Sequence, residues 1–180
     1  VLAISGLHLE DYYYKSYCPN ATVIQNWALE PLIGLYPTLL KDKKVLVISP
    51  FAEQIKSQYK LRKKLFKEPD ILPTFKKLHV IEAVQTIGGQ LDPRFNNWFE
   101  ALNYMKNEIK KLDFDVALVG CGAYGLPLCI YIKELGKIAL QSAGATQTLF
   151  GIMGKRWENR IHVKRFVNEH WVRPDKKPEN

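Results

Sequence analysis

Short apolar runs alternate with amphipathic segments along most of the chain. Each run has the length and composition of a buried strand. The runs are Val1 to Ile4, Thr22 to Ile24, Lys44 to Ile48, Leu78 to Ile81, Val116 to Val119 and Ile138 to Leu140. Helices are predicted around Tyr12 to Tyr14, from Ala52 to Lys67, from Trp98 to Leu112 and from Leu126 to Leu135. This alternation predicts an α/β fold with a mostly parallel sheet and helices on both faces.

No repeat, low-complexity tract or Ser/Gly/Pro-rich linker divides the chain. Its 180 residues suit a single domain, which we place over residues 1–174, with residues 175–180 as a flexible tail. The sequence begins at Val1 without a Met. We therefore expect it to be a fragment of a longer protein that could carry further domains.

The charge balance favours an anionic partner. The sequence has 26 Lys and Arg residues against 18 Asp and Glu, a formal net charge of +8, which suits nucleic acid, a membrane surface or a phosphorylated small molecule. A set of lysines recurs at helical spacing: Lys56, Lys60, Lys63, Lys64 and Lys67. Because no aromatic platform or base-reading motif accompanies them, we interpret them as a solvated helix face and expect no nucleic-acid partner.

The cysteines and the longest uncharged stretch indicate the cellular compartment and whether the chain spans a membrane. Cys18, Cys121 and Cys129 are odd in number and form no CxxC pair, so we expect a reducing, cytoplasmic location. The stretch from Val116 to Ile132 carries no charge, but glycines and Pro127 interrupt it. We predict that it forms a strand, a tight turn and a helix, and that it is not a transmembrane segment.

Ligands of open parallel sheets bind at the carboxyl ends of the strands. Four loops follow predicted strands there: Ser49 to Phe51, Gln85-Thr86, Gly120 to Gly125, and Ser142 to Gln147.

The loop Gly120-Cys121-Gly122-Ala123-Tyr124-Gly125 is a G-x-G-x-x-G between a predicted strand and a predicted helix. Such glycines allow a sharp turn and let a phosphate approach the amides of a helix N-terminus. The alternative is that the glycines serve packing alone. A dinucleotide or S-adenosylmethionine site would also need a carboxylate after the next strand, where Gln141 and Ser142 stand. The motif therefore favours phosphate contact over a nicotinamide or methyl-donor site.

A second loop, Gly144-Ala145-Thr146-Gln147, follows the next predicted strand and leads to Lys155-Arg156-Trp157. Small residues and a hydroxyl after a strand suit an anion-binding loop. The Lys-Arg pair could neutralise a diphosphate leaving group, and Trp157 could stack on a ring. The alternative is a helix cap followed by an ordinary basic turn.

Two carboxylate motifs are candidates for a catalytic role. Glu53 follows the loop at Ser49, where it could orient a sugar hydroxyl or act as a base, although a first-turn glutamate is also favoured by the helix dipole. Asp113-Phe114-Asp115 has the D-x-D spacing of metal-dependent sugar transferases, but it precedes a strand. We therefore place it at the opposite, amino edge of the sheet as a solvated turn, and we assign no metal site.

Several segments together resemble glycosyltransferase-like proteins with the D-type (GT-D-like) fold. The likeness covers roughly residues 20–174. It rests on Val119 to Pro127, Gly144 to Gln147, Leu149 to Ile152, Gly154 to Trp157, Pro50 to Glu53 and Asn168 to Pro174. The resemblance implies a Rossmann-like domain that uses a nucleotide-sugar donor, of the kind found in surface-polysaccharide and virus-encoded glycan biosynthesis.

Together with the two glycine loops, this resemblance implies a glycosyltransferase that moves a sugar from a nucleotide-sugar donor to a glycan acceptor. Glu53 and Arg156 are the predicted catalytic residues. The predicted donor-binding residues are Ser49, Gly120, Gly122, Ala123, Tyr124, Gly125, Gly144, Ala145, Thr146, Gln147, Lys155 and Trp157. We expect no resident cofactor, and Mg²⁺ or Mn²⁺ only if an acidic motif lies upstream. The alternatives are a Rossmann-type methyltransferase or dehydrogenase, and a noncatalytic module that binds nucleotide sugars or glycans.

Overall fold

A four-stranded parallel sheet forms the centre of the molecule. The structure, a computed structural model, describes residues 1–34, 36–85 and 92–175. The strands are β3 (Lys44–Ser49), β4 (Lys77–Glu82), β5 (Val116–Val119) and β6 (Ile138–Leu140), in the spatial order β4-β3-β5-β6. Every neighbouring pair is parallel, which confirms the predicted sheet.

The first two strands stand apart from this sheet. β1 (Leu2–Ile4) and β2 (Val23–Gln25) pair with each other in parallel, and α1 (Glu10–Tyr17) connects them. The apolar pattern located both strands, but it did not show that they form a separate two-stranded sheet. Two short 3₁₀ helices, Asn26–Leu29 and Tyr36–Leu40, then lead to β3.

Six further α-helices and three short 3₁₀ helices lie along the rest of the described chain. The 3₁₀ helices are Gly122–Tyr124, Ala143–Ala145 and Lys155–Trp157. The α-helices are α2 (Ala52–Lys60), α3 (Arg62–Leu65), α4 (Trp98–Lys110), α5 (Gly125–Glu134), α6 (Thr146–Leu149) and α7 (Ile161–Lys164). The single helix predicted from Ala52 to Lys67 is therefore two helices, which meet at Leu61. Beyond the break, Leu65 is fully buried in the core while Lys63 and Lys64 remain exposed.

The two faces of the sheet pack against different helices. Alternate strand residues point to opposite faces, so Val45 and Val47 join one core while Leu46 and Ile48 join the other. The first core includes buried residues of α2, α3, α6 and α7, and the second includes those of α4 and α5. Helices therefore cover both faces, as predicted.

The sheet order places the predicted loops at one edge. β4 and β5 flank β3 on opposite sides, which makes a topological switch point at the carboxyl end of β3. The loops after β3, β5 and β6 meet at this edge because all three strands run in the same direction. The segment from Val116 to Ile132 forms β5, a turn and most of α5, and no helix within the described ranges is long and apolar enough to cross a membrane.

Two predicted features fall partly outside this description. Thr86 of the Gln85-Thr86 loop and residues 176–180 of the predicted tail are not among the described residues.

Candidate functional site

The loop after β5 exposes backbone at the start of a helix. Gly122 has a positive φ of 55°, and a Cβ built on it would meet nothing within 4 Å. Gly122 and Ala123 are exposed and begin a 3₁₀ turn that continues into α5. The first amides of a helix have no acceptor within the helix. The N–H groups of these two residues are therefore in the position that an anion-binding loop requires.

Two side chains of the same loop, those of Cys121 and Tyr124, face the protein interior. Tyr124 is buried, and its ring stacks on Trp98 of α4 with ring centroids 5.2 Å apart. Cys121 is buried as well, and this burial raises the pKa of its thiol to about 12. A contribution of Tyr124 to donor binding would therefore be indirect, through the placement of the loop backbone.

Two glycines of this loop allow close packing against the next loop. A Cβ on Gly120 would lie 2.6 Å from the carbonyl oxygen of Ala143 and 2.7 Å from Thr146 Oγ1. A Cβ on Gly125 would lie 2.9 Å from Gln141 Nε2. Gly120 and Gly125 thus have the packing role that the sequence left open as the alternative.

Internal hydrogen bonds fix the shape of the loop after β6. Ser142 Oγ and Thr146 Oγ1 are 2.6 Å apart and share a hydrogen bond, and Gln147 Nε2 donates to the Ile152 carbonyl at 3.0 Å. All three side chains are buried. Ala143 has φ 46°, a left-handed conformation that non-glycine residues rarely adopt. The predicted donor-binding role of Thr146 and Gln147 would therefore be to shape the loop.

Arg156 covers this loop. A Cβ built on Gly144 would lie 1.1 Å from Arg156 Nη2, so the guanidinium occupies the space that the glycine leaves. Arg156 Cζ also lies 5.1 Å from the ring centroid of Trp157, in cation–π range. Within the described residues Arg156 forms no ion pair. Its positive charge is held over the loop and is available to an anion.

A cavity of about 180 Å³ opens beside Arg156. Its wall comes from three parts of the chain: Asn26, Leu29 and Glu30; residues 141–145; and Arg156 with Trp157. Trp157 is buried, and its indole N–H has no hydrogen-bond partner among the described residues. The predicted residues Gly144, Ala145, Arg156 and Trp157 therefore share one cavity.

Sequence reasoning missed Glu30. Its side chain is about one-quarter exposed, and Glu30 Oε2 lies 4.0 Å from His162 Nε2. The sequence shows no carboxylate near Gln141 and Ser142, yet Glu30 lines the same cavity as these two residues. No motif surrounds Glu30 in the sequence, so only the tertiary fold reveals this placement.

The structure does not bring every predicted residue to the cavity. Glu53 lies in the first turn of α2 with its side chain 83% exposed, and it pairs with Lys56 at 2.7 Å. Ser49 is buried at the end of β3, where its Oγ accepts the Phe51 N–H at 3.3 Å. Neither lines the cavity, and Lys155 is exposed next to Arg156. The catalytic role of Glu53 stays a prediction.

Asp113 and Asp115 lie at the amino edge of the sheet, as predicted. Asp113 pairs with Lys44 Nζ, and this bond lowers the pKa of the Asp113 carboxyl. Asp115 Oδ2 accepts the Lys44 N–H at 2.8 Å. In the described part of the chain no three His, Cys, Asp or Glu side chains converge as metal ligands, and the cavity contributes a single carboxylate. The described residues thus do not fit a metal site, and we derive no step through a metal.

Comparison with known proteins gives a family match. A family model described as "GT-D fold-like domain" matches residues 11–146. No curated protein and no solved structure matches the chain significantly. The matched region contains the whole four-stranded sheet, the loop Gly120 to Gly125, Glu30, and the second loop as far as Thr146, whereas Gln147, Arg156 and Trp157 lie beyond it.

Proposed function

The chain belongs to the GT-D fold-like family, and from this premise we propose that it is a glycosyltransferase acting on a nucleotide-sugar donor and a glycan acceptor. One observation carries the proposal. The Arg156 guanidinium is held over Gly144 and beside the cavity, at the edge of the sheet where ligands of such folds bind.

Sugar transfer requires stabilisation of the negative charge that develops on the leaving group, and this arrangement can provide it. The bond between the anomeric carbon and the diphosphate oxygen breaks, and its electron pair stays on the departing diphosphate. The acceptor hydroxyl oxygen forms the new bond to the anomeric carbon and releases its proton to a base. A fixed cation near the leaving group stabilises the developing negative charge without reorganising during the reaction. Arg156 supplies that cation, and the adjacent Lys155 adds a second positive charge.

The exposed amides of Gly122 and Ala123 supply a second anion contact at the same edge. The two loops touch where Gly120 approaches Ala143 and Thr146. One diphosphate could therefore contact both. We retain Glu53 as the proposed carboxylate that orients a hydroxyl or accepts the proton. We also propose a cytoplasmic location, because the three cysteines are free.

One observation favours a second candidate. The sequence argued against a methyltransferase or dehydrogenase because it lacks a ribose-binding carboxylate near Gln141 and Ser142. Glu30 offers a carboxylate in that cavity from another part of the chain. A ribose-containing cofactor is therefore the alternative ligand that the test must include.

A thermal-shift panel separates the two candidates. The ligands are nucleoside diphosphates and nucleotide sugars, each with and without Mn²⁺, together with S-adenosylmethionine and nicotinamide dinucleotides. A ligand at 100 times its dissociation constant stabilises the folded state by about 2.7 kcal/mol. We expect stabilisation by a nucleotide sugar, followed by transfer of its sugar to a glycan. Stabilisation by S-adenosylmethionine or a dinucleotide alone would favour the second candidate.

Arg165→Ala is the matched control for Arg156→Ala in this panel. Arg165 also stacks on the aromatic residue that follows it, with Cζ 4.7 Å from the Phe166 ring centroid, but it does not line the cavity. We expect the nucleotide-sugar shift to be smaller in Arg156→Ala than in the parent chain and unchanged in Arg165→Ala. Equal shifts in both variants would contradict the proposed site.

A further inference from the structure

Glu30 places an acidic group in a cavity otherwise suited to an anion. Glu30 lines the same cavity as Arg156, and the two form no ion pair. The 4.0 Å between Glu30 Oε2 and His162 Nε2 is too long for a hydrogen bond. In the described residues no hydrogen bond to the Glu30 side chain is found. Apart from this ion-pair contact with His162, the carboxylate oxygens can accept hydrogen bonds from a ligand.

The chemistry of a carboxylate restricts what Glu30 can bind. An ionised carboxylate only accepts hydrogen bonds, through two oxygens, and it repels phosphate. Its ligand must therefore present hydrogen-bond donors, and two adjacent hydroxyls match its two oxygens. Carboxylates hold ribose hydroxyls in this way in dinucleotide-binding folds.

The size of the cavity restricts the ligand further. Pockets that enclose a whole ligand have volumes of about 300–1,000 Å³, whereas this cavity measures about 180 Å³. It is suited to one ring and its substituents. Arg156 and the Gly144 backbone lie on the same wall, so a phosphate attached to that ring would meet the positive charge.

We propose that Glu30 binds a vicinal pair of hydroxyls of the donor, on the ribose or on the transferred sugar, while Arg156 binds the attached phosphate. This inference rests on the proposed function. It adds a specificity-determining residue to the site and divides the cavity into a hydroxyl-binding side and a phosphate-binding side.

Calorimetric titration of the wild-type chain, Glu30→Gln and Glu169→Gln tests this division. Glu169 is the matched control because its carboxylate also neighbours a histidine, His170 at 3.6 Å, but it is 81% exposed and lies outside the cavity. The ligands are the four ribonucleoside diphosphates, their 2′-deoxy forms, the corresponding nucleotide sugars and inorganic pyrophosphate.

If Glu30 holds the ribose, Glu30→Gln should weaken a ribonucleoside diphosphate about tenfold and leave its 2′-deoxy form unchanged. If Glu30 holds the transferred sugar, the variant should weaken the nucleotide sugar about tenfold and leave the nucleoside diphosphate unchanged. In both cases pyrophosphate should bind Glu30→Gln at least as tightly as the wild-type chain, because a repulsive charge is gone. That binding also shows that the variant is folded. Glu169→Gln should match the wild-type chain throughout.

Three results would overturn the inference alone. In the first, Glu30→Gln binds every ligand with wild-type affinity, so Glu30 contributes nothing to binding. In the second, Glu30→Gln loses affinity for pyrophosphate, which has no hydroxyl for Glu30 to bind. In the third, the affinity falls for the nucleotides of one base only, equally in their ribose and 2′-deoxy forms, so Glu30 contacts the base. The proposed function would stand in each case, provided that the wild-type chain binds nucleotide sugars. If the wild-type chain binds none of these ligands, the proposed function fails and this inference fails with it.

Discussion

The loops after β5 and β6 both contain glycine, but their glycines are needed for different physical reasons. At Gly122 the glycine is needed for its conformation: φ is 55°, and the space around the missing Cβ is open. At Gly144 the glycine is needed for its small size, because the Arg156 guanidinium occupies the place of a Cβ. The loop after β5 presents backbone amides, whereas the loop after β6 holds a side chain from elsewhere in the chain.

This difference separates two kinds of anion contact. A loop that exposes N–H groups binds an anion through fixed dipoles, and a loop covered by arginine binds it through a full charge. Only the loop after β6 borders the cavity. Substitutions in that loop should therefore affect catalysis more than substitutions in the loop after β5.

The largest effect is expected from Arg156→Ala. Removing one preorganised group that stabilises charge in the transition state typically lowers turnover about 10²-fold or more, with a smaller change in donor affinity. Steady-state kinetics of sugar transfer would measure this, with Arg165→Ala as the control. If Arg156→Ala keeps the turnover of the parent chain, Lys155 and Arg156 have no catalytic role and form an ordinary exposed basic turn.

Gly144→Ala tests the packing of the guanidinium directly. The new Cβ would displace the end of the Arg156 side chain, which is flexible, so we expect less than about 1 kcal/mol of lost stability. Turnover should fall about tenfold because the charge moves away from the loop. In a double-mutant cycle, adding Gly144→Ala to Arg156→Ala should cause no further loss. Additive losses would show that Gly144 acts independently of Arg156.

Gly122→Val tests the loop after β5. The left-handed backbone should cost about 1–2 kcal/mol of stability in any non-glycine variant. The valine side chain would occupy the open space in front of the amides, so nucleotide affinity should fall several-fold in titration calorimetry. Gly122→Ala provides the control because it shares the backbone strain with less bulk. Unchanged nucleotide binding by a folded Gly122→Val chain would remove this loop from the donor site.

Much of the fold could be predicted from the sequence because the burial of strands and helices determines where apolar residues occur along the chain. Val116–Val119 and Ile138–Leu140 were predicted to the residue, since each is an apolar run bounded by polar residues or glycine. The break at Leu61 was not predicted, because the helical spacing of charged and apolar residues continues across it. The separate pairing of β1 with β2 was also missed, because partner choice depends on tertiary contacts.

The candidate site was predicted only where it is local in the sequence. Gly144 and Arg156 stood out because small residues follow a strand and a basic pair follows them. Glu30 gave no local signal: it lies between Leu29 and Pro31, more than 100 residues before the loop that it faces. Residues that reach a cavity from a distant segment cannot be recognised from spacing.

The smallest effect on function is expected from the Asp113→Asn, Asp115→Asn double variant. Both residues lie at the amino edge of the sheet, opposite the two glycine loops, so donor binding, turnover and any Mn²⁺ response should equal those of the parent chain. Loss of metal dependence in this variant alone would contradict the assignment of the two sheet edges.

The same variant should nevertheless change stability in a pH-dependent way. Lys44 lowers the pKa of Asp113 in the folded state below its ordinary value of 3.8. The ion pair therefore stabilises the fold fully above that value, and its contribution is lost as the pH falls through the lower, folded-state pKa. Chemical denaturation of the parent and the variant should differ at pH 7 and converge as the pH drops below about 3.8. A difference that stays constant over this range would show that the Asp113–Lys44 ion pair makes no contribution to stability, because such a contribution must titrate with the Asp113 carboxyl.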